Sequence, residues 1–289
     1  MLRRGNKIGI VACSDSYQEK QRSTLFQLEE SIKKLELEPV FSTCIIGETF
    51  KPTKEEKAKA LMDFYKDDEI RVIFDTSGGN LAIEILPFLD YEVIKQNKKP
   101  FFGYSDLTTV LNAITTKTGC ETYLYQIRNL TYEYKEQQIT DFKQTLFEGK
   151  QNLFDFNVSW MNKERMEGIV CGGNIRCFLK LACTEYFPDV TGKILFLEAY
   201  SGSANLIISM MTQLKLMGVF DKLNGLIIGT FTQMEREHIV PDIKSIVKNV
   251  IDDDRLPIAI TKQIGHGSDS KALILGKKLI LEKSNGILR

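Results

Sequence analysis

Short apolar runs alternate with longer amphipathic stretches through the N-terminal half of the chain. The run from Lys7 to Ala12 (KIGIVA) predicts a strand, and the segment from Ser23 to Leu37 carries leucine and isoleucine at helical spacing. The same unit then recurs, with strands predicted over 40–46, 71–74 and 100–103 and an amphipathic helix over 53–66. Strands and helices that alternate in this way predict a parallel sheet covered on both faces.

The C-terminal half has a less regular pattern. Residues 131–166 are polar with scattered aromatics and are interpreted as a linker, and a helix is predicted through Ile175 and Ala182 behind a pair of glycines. Strands are predicted over 193–197, 226–231, 257–260, 272–275 and 278–281, with a helix over 206–217. We therefore predict an α/β protein with an N-terminal domain over 1–130, a linker over 131–166 and a mixed C-terminal domain over 167–289.

Composition places the chain among ordinary globular proteins. Of its 289 residues, 43% are hydrophobic and 26% are charged, with 38 basic side chains balancing 38 acidic ones. No global field therefore favours nucleic acid or a membrane surface, so specificity must come from a local site. The apolar run near the N-terminus is too short for a signal segment or a membrane span, which predicts a cytoplasmic protein.

Cysteine and histidine usage argues against several kinds of site. The six cysteines are scattered with no C-x-x-C pair, which predicts reduced and mostly buried thiols. The chain has two histidines, His238 and His266, whereas zinc enzymes commonly use two or three imidazoles. We expect no metal and no cofactor.

Ser105 is the first candidate for chemistry. It follows the apolar run 100–103 in Gly103-Tyr104-Ser105-Asp106-Leu107, where a tight strand-to-helix turn would expose its hydroxyl. The spacing resembles G-x-S-x-G, although Leu107 stands at the last glycine. A serine here is also a plain helix N-cap, so the local pattern leaves both interpretations open.

A serine nucleophile requires a base and an orienting carboxylate. His266 lies between glycines in a predicted loop, whereas His238 lies in a charged, surface-like segment. Glu198 is the first charge after the buried run KILFL, and Asp75, Asp106 and Asp269 are its competitors. Local pattern alone leaves Glu198 open to interpretation as a solvent-facing strand end.

The tripeptide Gly78-Gly79-Asn80 follows another predicted strand. Paired glycines let the backbone approach a ligand closely and direct N–H groups at an anion, although a tight turn that caps a helix explains them equally. Neither the dinucleotide nor the P-loop glycine pattern occurs. The second copy, Gly172-Gly173-Asn174, is interpreted as a packing feature.

Taken in order, these pieces resemble the LD-carboxypeptidase family of serine peptidases, which includes murein tetrapeptide carboxypeptidases and microcin C immunity peptidases. The resemblance covers most of the chain. It is carried by Lys7-Ile-Gly-Ile-Val-Ala12, Ser77-Gly78-Gly79-Asn80, Phe102-Gly103-Tyr104-Ser105-Asp106, Gly172-Gly173-Asn174, Gly192-Lys-Ile-Leu-Phe-Leu-Glu198 and Ile264-Gly265-His266-Gly267.

The resemblance implies a site and a fold. Ser105 would be the nucleophile, His266 the general base and Glu198 its orienting carboxylate, with backbone N–H groups of Gly78, Gly79 and Asp106 as the oxyanion hole. It also implies a flavodoxin-like N-terminal domain, a C-terminal domain with a small barrel-like β core, and a homodimer. The implied substrate is an L,D-linked muropeptide that loses its terminal D-alanine.

Departures from the family pattern concern the substrate more than the reaction. The loop after the first strand lacks its usual proline, Gln126-Ile127-Arg128 replaces a glycine-proline pair, and residues 199–203 lack the usual acidic stretch. We nominate Arg128 and Asn80 as substrate-binding residues. An amidase acting on peptidyl or aminoacyl nucleotides and a non-catalytic binding domain are the rival functions.

Overall fold

A computed structural model describes residues 1–47 and 51–283 of the chain. Its strands are β1 (Lys7–Val11), β2 (Glu38–Phe41), β3 (Ile70–Asp75), β4 (Phe101–Gly103), β5 (Thr122–Leu124), β6 (Ser159–Asn162), β7 (Arg165–Asn174), β8 (Ile194–Ala199), β9 (Gly225–Phe231), β10 (Ile258–Ile260), β11 (Leu273–Leu275) and β12 (Lys278–Glu282). Its helices are α1 (Arg22–Lys34), α2 (Lys54–Lys66), α3 (Tyr91–Gln96), α4 (Thr108–Thr118), α5 (Lys135–Leu146), α6 (Ile175–Leu179), α7 (Ala204–Leu216), α8 (Thr232–Arg236) and α9 (Ile243–Ile251).

The first sheet has the order β2-β1-β3-β4-β5, with β11 added at its edge. The first five strands are parallel and β11 runs antiparallel to β5. This order is that of flavodoxin-like sheets, whose ligands bind where the strand order reverses. The predicted flavodoxin-like first domain is confirmed.

Alternate residues of β3 show why the first sheet is covered on both faces. Val72 and Phe74 pack in one buried cluster with Leu28 of α1, whereas Ile73 packs in another with Leu61 of α2. Successive side chains of a strand point to opposite faces, so a strand that is apolar on both faces requires a helix on each side. Strands that are buried on both faces therefore account for the continuous apolar runs in this part of the sequence.

The second sheet has the order β12-β7-β8-β9-β10-β6 and curls into a half-barrel. Strands β7 to β10 are parallel, and the two edge strands pair antiparallel to them. The mixed C-terminal fold is therefore confirmed. The C-terminal segment joins the two sheets, because β11 pairs with β5 and β12 then pairs with β7.

Three stretches differ from the sequence prediction. The strand predicted over 40–46 is β2 at Glu38–Phe41. The segment 131–166 contains α5 and β6, and the predicted helix through Ile175 and Ala182 is only the five-residue α6, preceded by the ten-residue strand β7. The division into domains, with a linker over 131–166, stays a prediction. No helix in the described part of the chain is long and apolar enough to cross a membrane.

Candidate functional site

Ser105 lies on a strained turn between β4 and α4. Its φ angle is +56°, in the left-handed region that serine rarely adopts, and residues Ser105–Leu107 form a single 3-10 turn before the helix. Strain of this kind costs on the order of 1–3 kcal/mol and persists where the surrounding structure fixes it. The turn leaves Ser105 half-buried, in the conformation expected of a nucleophile elbow.

His266 and Glu198 form a hydrogen-bonded pair beside this turn. Nδ1 of His266 lies 2.7 Å from Oε2 of Glu198, whose side chain is fully buried near the end of β8. The ring of Tyr104, the residue before Ser105, packs edge-on against the imidazole at 4.8 Å between centroids. An Nδ1–H that donates to the carboxylate leaves Nε2 as the basic nitrogen of a neutral imidazole.

The remaining oxygen of Glu198 is also occupied. Nδ2 of Asn174 donates to Oε1 of Glu198 at 3.0 Å, and Asn174 is the N-cap of α6. The imidazole of His266 also packs against the ring of Tyr200, at 4.9 Å between centroids. Burial, together with the negative charge of Glu198, raises the pKa of the Tyr104 phenol, so this ring stays neutral.

The competing residues have other partners or positions. Asp75 accepts hydrogen bonds from the backbone N–H groups of Cys13 and Ser77, and burial nevertheless raises its pKa. Asp269 and His238 are exposed. The carboxylate of Asp106 is fully buried and accepts hydrogen bonds from residues on both halves of the molecule.

The Gly78-Gly79-Asn80 turn faces the Ser105 turn through a shared set of contacts. An added Cβ on Gly79 would lie 2.3 Å from Oδ2 of Asp15, and its φ of +136° also requires glycine. Within residues 1–47 and 51–283, the N–H groups of Gly78 and Gly79 have no hydrogen-bond acceptor. Unpaired N–H groups on a partly buried turn are suited to stabilising a developing negative charge.

Two basic side chains that the sequence analysis missed hold this turn from the second half. Lys180 donates to the carbonyl of Asn80 at 2.8 Å and to Oδ1 of Asp106 at 2.5 Å. Arg176 donates to the carbonyl of Gly79 at 3.2 Å and to the side chain of Asn80. Arg176 and Lys180 follow the second glycine pair with i, i+4 spacing, which places both side chains on one face of a helix. This spacing is the sequence signal by which the two residues could have been found.

A cavity of about 530 Å³ adjoins the same turn, which is within the usual range for small-ligand sites. Its lining includes Asp15, Tyr17, Lys57, Gly78, Gly79 and Arg128. The guanidinium of Arg128 lies 5.9 Å from the ring of Tyr132, and its Nε is buried without a hydrogen-bond partner in the described structure. Ser105 and His266 do not line this cavity.

The thiol of Cys177 also contacts this arrangement, since its Sγ lies 3.4 Å from Oδ1 of Asp106. All six cysteines are free, and Cys13, Cys44, Cys171 and Cys177 are buried. Among the described residues, no three histidine, cysteine, aspartate or glutamate side chains are grouped so that they could hold a metal ion. The expectation of no metal and no cofactor stays a prediction.

Comparison with known proteins gives matches over both halves. The LD-carboxypeptidase N-terminal domain matches residues 8–125, and the LD-carboxypeptidase C-terminal domain matches residues 167–281. The microcin C7 self-immunity protein MccF of Escherichia coli is 26% identical over 81% of this chain and 77% of its own. A probable murein peptide carboxypeptidase of Bacillus subtilis is 25% identical over 96% of this chain and 89% of its own.

The fold also matches solved structures. MccF in complex with glutamyl sulfamoyl guanosine superposes with a TM-score of 0.86 at 22% identity, covering 97% of this chain and 94% of that one. At this identity the likeness shows the fold and leaves the ligand open.

Proposed function

The chain belongs to the LD-carboxypeptidase family, and from this premise we propose that it is a serine hydrolase that cleaves an amide bond with Ser105, His266 and Glu198. Hydrolase activity is what the family implies. The observation that carries the assignment of residues is the 2.7 Å hydrogen bond between Glu198 and His266, beside the strained turn of Ser105.

The proposed reaction is acyl transfer through the Ser105 hydroxyl. Nε2 of His266 takes the Oγ proton as Oγ attacks the amide carbonyl, and Glu198 stabilises the imidazolium that forms. N–H groups of Gly78, Gly79 and Asp106 hold the oxyanion. His266 then gives its proton to the leaving nitrogen, which breaks the amide bond. Water, deprotonated by His266, hydrolyses the ester and restores Ser105.

For the substrate, we propose a muropeptide whose L,D-linked terminal D-alanine is released. A carboxypeptidase must recognise a free carboxylate, and an arginine is suited to that task because its guanidinium can donate two parallel hydrogen bonds. Arg128 lines the cavity beside Gly78 and Gly79. The amide of Asn80 lies on the same turn, where Arg176 fixes its oxygen and leaves Nδ2 for a ligand.

The second candidate function is that of an amidase acting on peptidyl or aminoacyl nucleotides. It is favoured by the 26% identity to the microcin immunity protein MccF. The chemistry at Ser105 would be the same, so the two candidates differ in the leaving group and in the residues that bind it.

A substrate panel tests the proposal. The wild-type protein is offered a tetrapeptide with a free terminal D-alanine, the same peptide amidated at its C-terminus, and a peptidyl nucleotide. We expect release of D-alanine from the free peptide and almost none from the amide, with Arg128→Ala raising KM more than it lowers kcat. Arg71→Ala is the matched control, because Arg71 is an exposed arginine near the start of β3, whereas the glycine turn follows the end of this strand.

Two results would move the assignment. Equal cleavage of the peptide with a free C-terminus and of the amidated peptide would show that Arg128 does not recognise the terminal carboxylate. Cleavage of the peptidyl nucleotide with none of the tetrapeptide would establish the second candidate instead.

A further inference from the structure

The short helix α6, with its flanking residues Asn174 and Lys180, contacts Glu198, Asp106 and the Gly79–Asn80 part of the glycine turn. Its N-cap Asn174 donates to Glu198 at 3.0 Å, and its side-chain oxygen accepts the N–H of Cys177 at 3.4 Å. The start of the helix is therefore tied to the carboxylate that pairs with His266. Its other end, at Lys180, lies against the first half of the molecule.

The ammonium group of Lys180 joins two separate segments of the first half. It donates to Oδ1 of Asp106, which follows Ser105, and to the carbonyl of Asn80, which follows the glycine pair. Asp106 is fully buried, and its second oxygen accepts the Ser14 hydroxyl at 2.7 Å and the Ala82 N–H at 2.8 Å. A single cation thus links the turn of Ser105 to the turn that holds the unpaired N–H groups.

Carbonyl contacts fix the direction of three successive peptide groups in the glycine turn. The N–H of Asp15 donates to the carbonyl of Gly78, Arg176 donates to that of Gly79 and Lys180 to that of Asn80. In a planar trans peptide the N–H points opposite to the C=O, so a held carbonyl also sets where the next N–H points. The direction of the Gly79 N–H follows from the Asp15 contact, and the two cations fix the peptides after it.

We propose that Lys180 is a positioning residue, which sets the distance and orientation of the Gly78–Asn80 turn relative to Ser105. The inference rests on the proposed hydrolysis at Ser105, because the two segments that Lys180 joins carry the proposed oxyanion donors. Such donors act only when their geometry matches the transition state, and small displacements reduce the rate steeply. Lys180 acts through Asp106 and Asn80. Among the described residues, its ammonium has no hydrogen bond to Ser105 or His266, which carry the reacting atoms.

Lys180→Met is the direct test, because methionine retains an apolar stem and removes the three N–H donors. We expect kcat and the rate of Ser105 labelling by a fluorophosphonate to fall by about 10- to 100-fold, with KM changed by less than about threefold. Lys180→Arg keeps a cation with several donors and should recover most of the rate. A folded Lys180→Met variant with wild-type kcat, or one that changes KM alone, would overturn the proposal.

Lys117→Met is the matched control. Lys117 lies in the last turn of α4 and its ammonium donates to Glu185 at 2.7 Å, so this pair also bridges the two halves but at the far end of the helix from Ser105. We expect its turnover to equal that of the wild type. An equal loss of kcat in both variants would show that any bridging lysine matters, which contradicts a specific role for Lys180.

Removing Lys180 leaves the buried Asp106 carboxylate without its cation, and the variant could fail to fold for that reason. The double variant Lys180→Met/Asp106→Asn removes the charge as well as the cation. We expect it to fold and to keep the low kcat of Lys180→Met, because the link between the two turns is still absent. Wild-type turnover in this double variant would also overturn the proposal.

Amide hydrogen exchange of Ala82, whose N–H donates to Oδ2 of Asp106 at 2.8 Å, tests positioning without turnover. Lys180→Met should raise the exchange rate of this amide by about tenfold or more, whereas Lys117→Met should leave it unchanged. A wild-type protein that cleaves no amide and is not labelled would refute the proposed hydrolase, but faster exchange in Lys180→Met would still support positioning. Unchanged exchange would overturn the role of Lys180 whatever the activity of the wild type.

Discussion

The position of each side chain in the proposed triad is fixed by a different local feature of the structure. Ser105 is held by a positive φ angle at the strand-to-helix turn, Glu198 by complete burial and a hydrogen bond from Asn174, and His266 by its bond to Glu198 and by two aromatic rings. The cost of burying the Glu198 carboxylate is offset by the donors on both of its oxygens. At this scale the arrangement is fixed before any substrate binds.

Replacing either partner of the histidine pair should remove most activity. We expect His266→Ala to lower kcat by about 10³-fold or more and Glu198→Gln by about 10²- to 10⁴-fold, because a glutamine amide directed at Nδ1 would favour the wrong tautomer. Steady-state kinetics and circular dichroism measure rate and fold. Glu185→Gln, a change of the same kind at an exposed glutamate, should be silent. A Glu198→Gln variant with full kcat would refute the orienting role.

The acid stability of the protein should depend on Asp106. Burial opposes ionisation of this carboxyl, but Lys180, the Ala82 N–H and the Ser14 hydroxyl outweigh burial and lower its pKa in the folded state. A pKa below the unfolded value stabilises the fold at pH values above the unfolded pKa, about 3.9, and this contribution is lost as the pH falls through the folded pKa. Asp106→Asn cannot titrate. We therefore expect the free energy of unfolding, measured by urea titration, to fall less steeply below about pH 4 in this variant than in the wild type. The same pH dependence in both proteins would contradict the proposed contribution of Asp106.

The strands and helices differ in how well sequence predicts them. The elements of the first half follow from apolar runs and amphipathic periods, since β1, β3 and β4 are buried along most of their length, whereas β2 is half-buried or exposed. Strand β7 was missed because Gly168, Gly172 and Gly173 have low strand propensity and hide its pattern. Helix α5 was missed because its buried face includes Gln138 and Asp141, which pair with Tyr125 and Lys271.

The same distinction applies to the site. The turn residues Ser105, Gly78 and Gly79 are visible in sequence because they follow strands at conspicuous positions. The contacts of Lys180 with Asp106 and of Asn174 with Glu198 depend on how the two sheets meet, which no local pattern encodes. The interpretation of Gly172-Gly173-Asn174 as packing holds for the glycines, while Asn174 has an additional polar contact.

The second glycine pair should be essential for the junction between β7 and α4. A Cβ added to Gly173 would lie 2.5 Å from Oγ1 of Thr108, and the φ of +137° disfavours any side chain. We expect Gly173→Ala to destabilise the protein by about 1–3 kcal/mol, measured as a lower midpoint of thermal unfolding. Gly78→Ala is the control, since nothing lies within 4 Å of its added Cβ. Equal midpoints for the two variants would contradict this account of the junction.

Across the whole molecule, the proposed active site depends on both halves. The first sheet carries the Ser105 turn and the glycine turn, while the second sheet carries Glu198 and the helix whose end holds both turns in place. The segment with His266 leads into β11, which pairs with the first sheet before β12 returns to the second. Relative movement of the two sheets would therefore separate Glu198, on β8 of the second sheet, from Ser105 on the first.

The central claim is that Ser105 is a nucleophile activated by His266, and covalent labelling tests it most directly. The protein is incubated with a fluorophosphonate and its intact mass and peptide map are measured. The account predicts one adduct on Ser105 in the wild type, none in Ser105→Ala, and a rate lower by about 10³-fold in His266→Ala. Labelling of Ser105→Ala at the wild-type rate, or a wild-type protein that cleaves an amide yet is never labelled at Ser105, would contradict it.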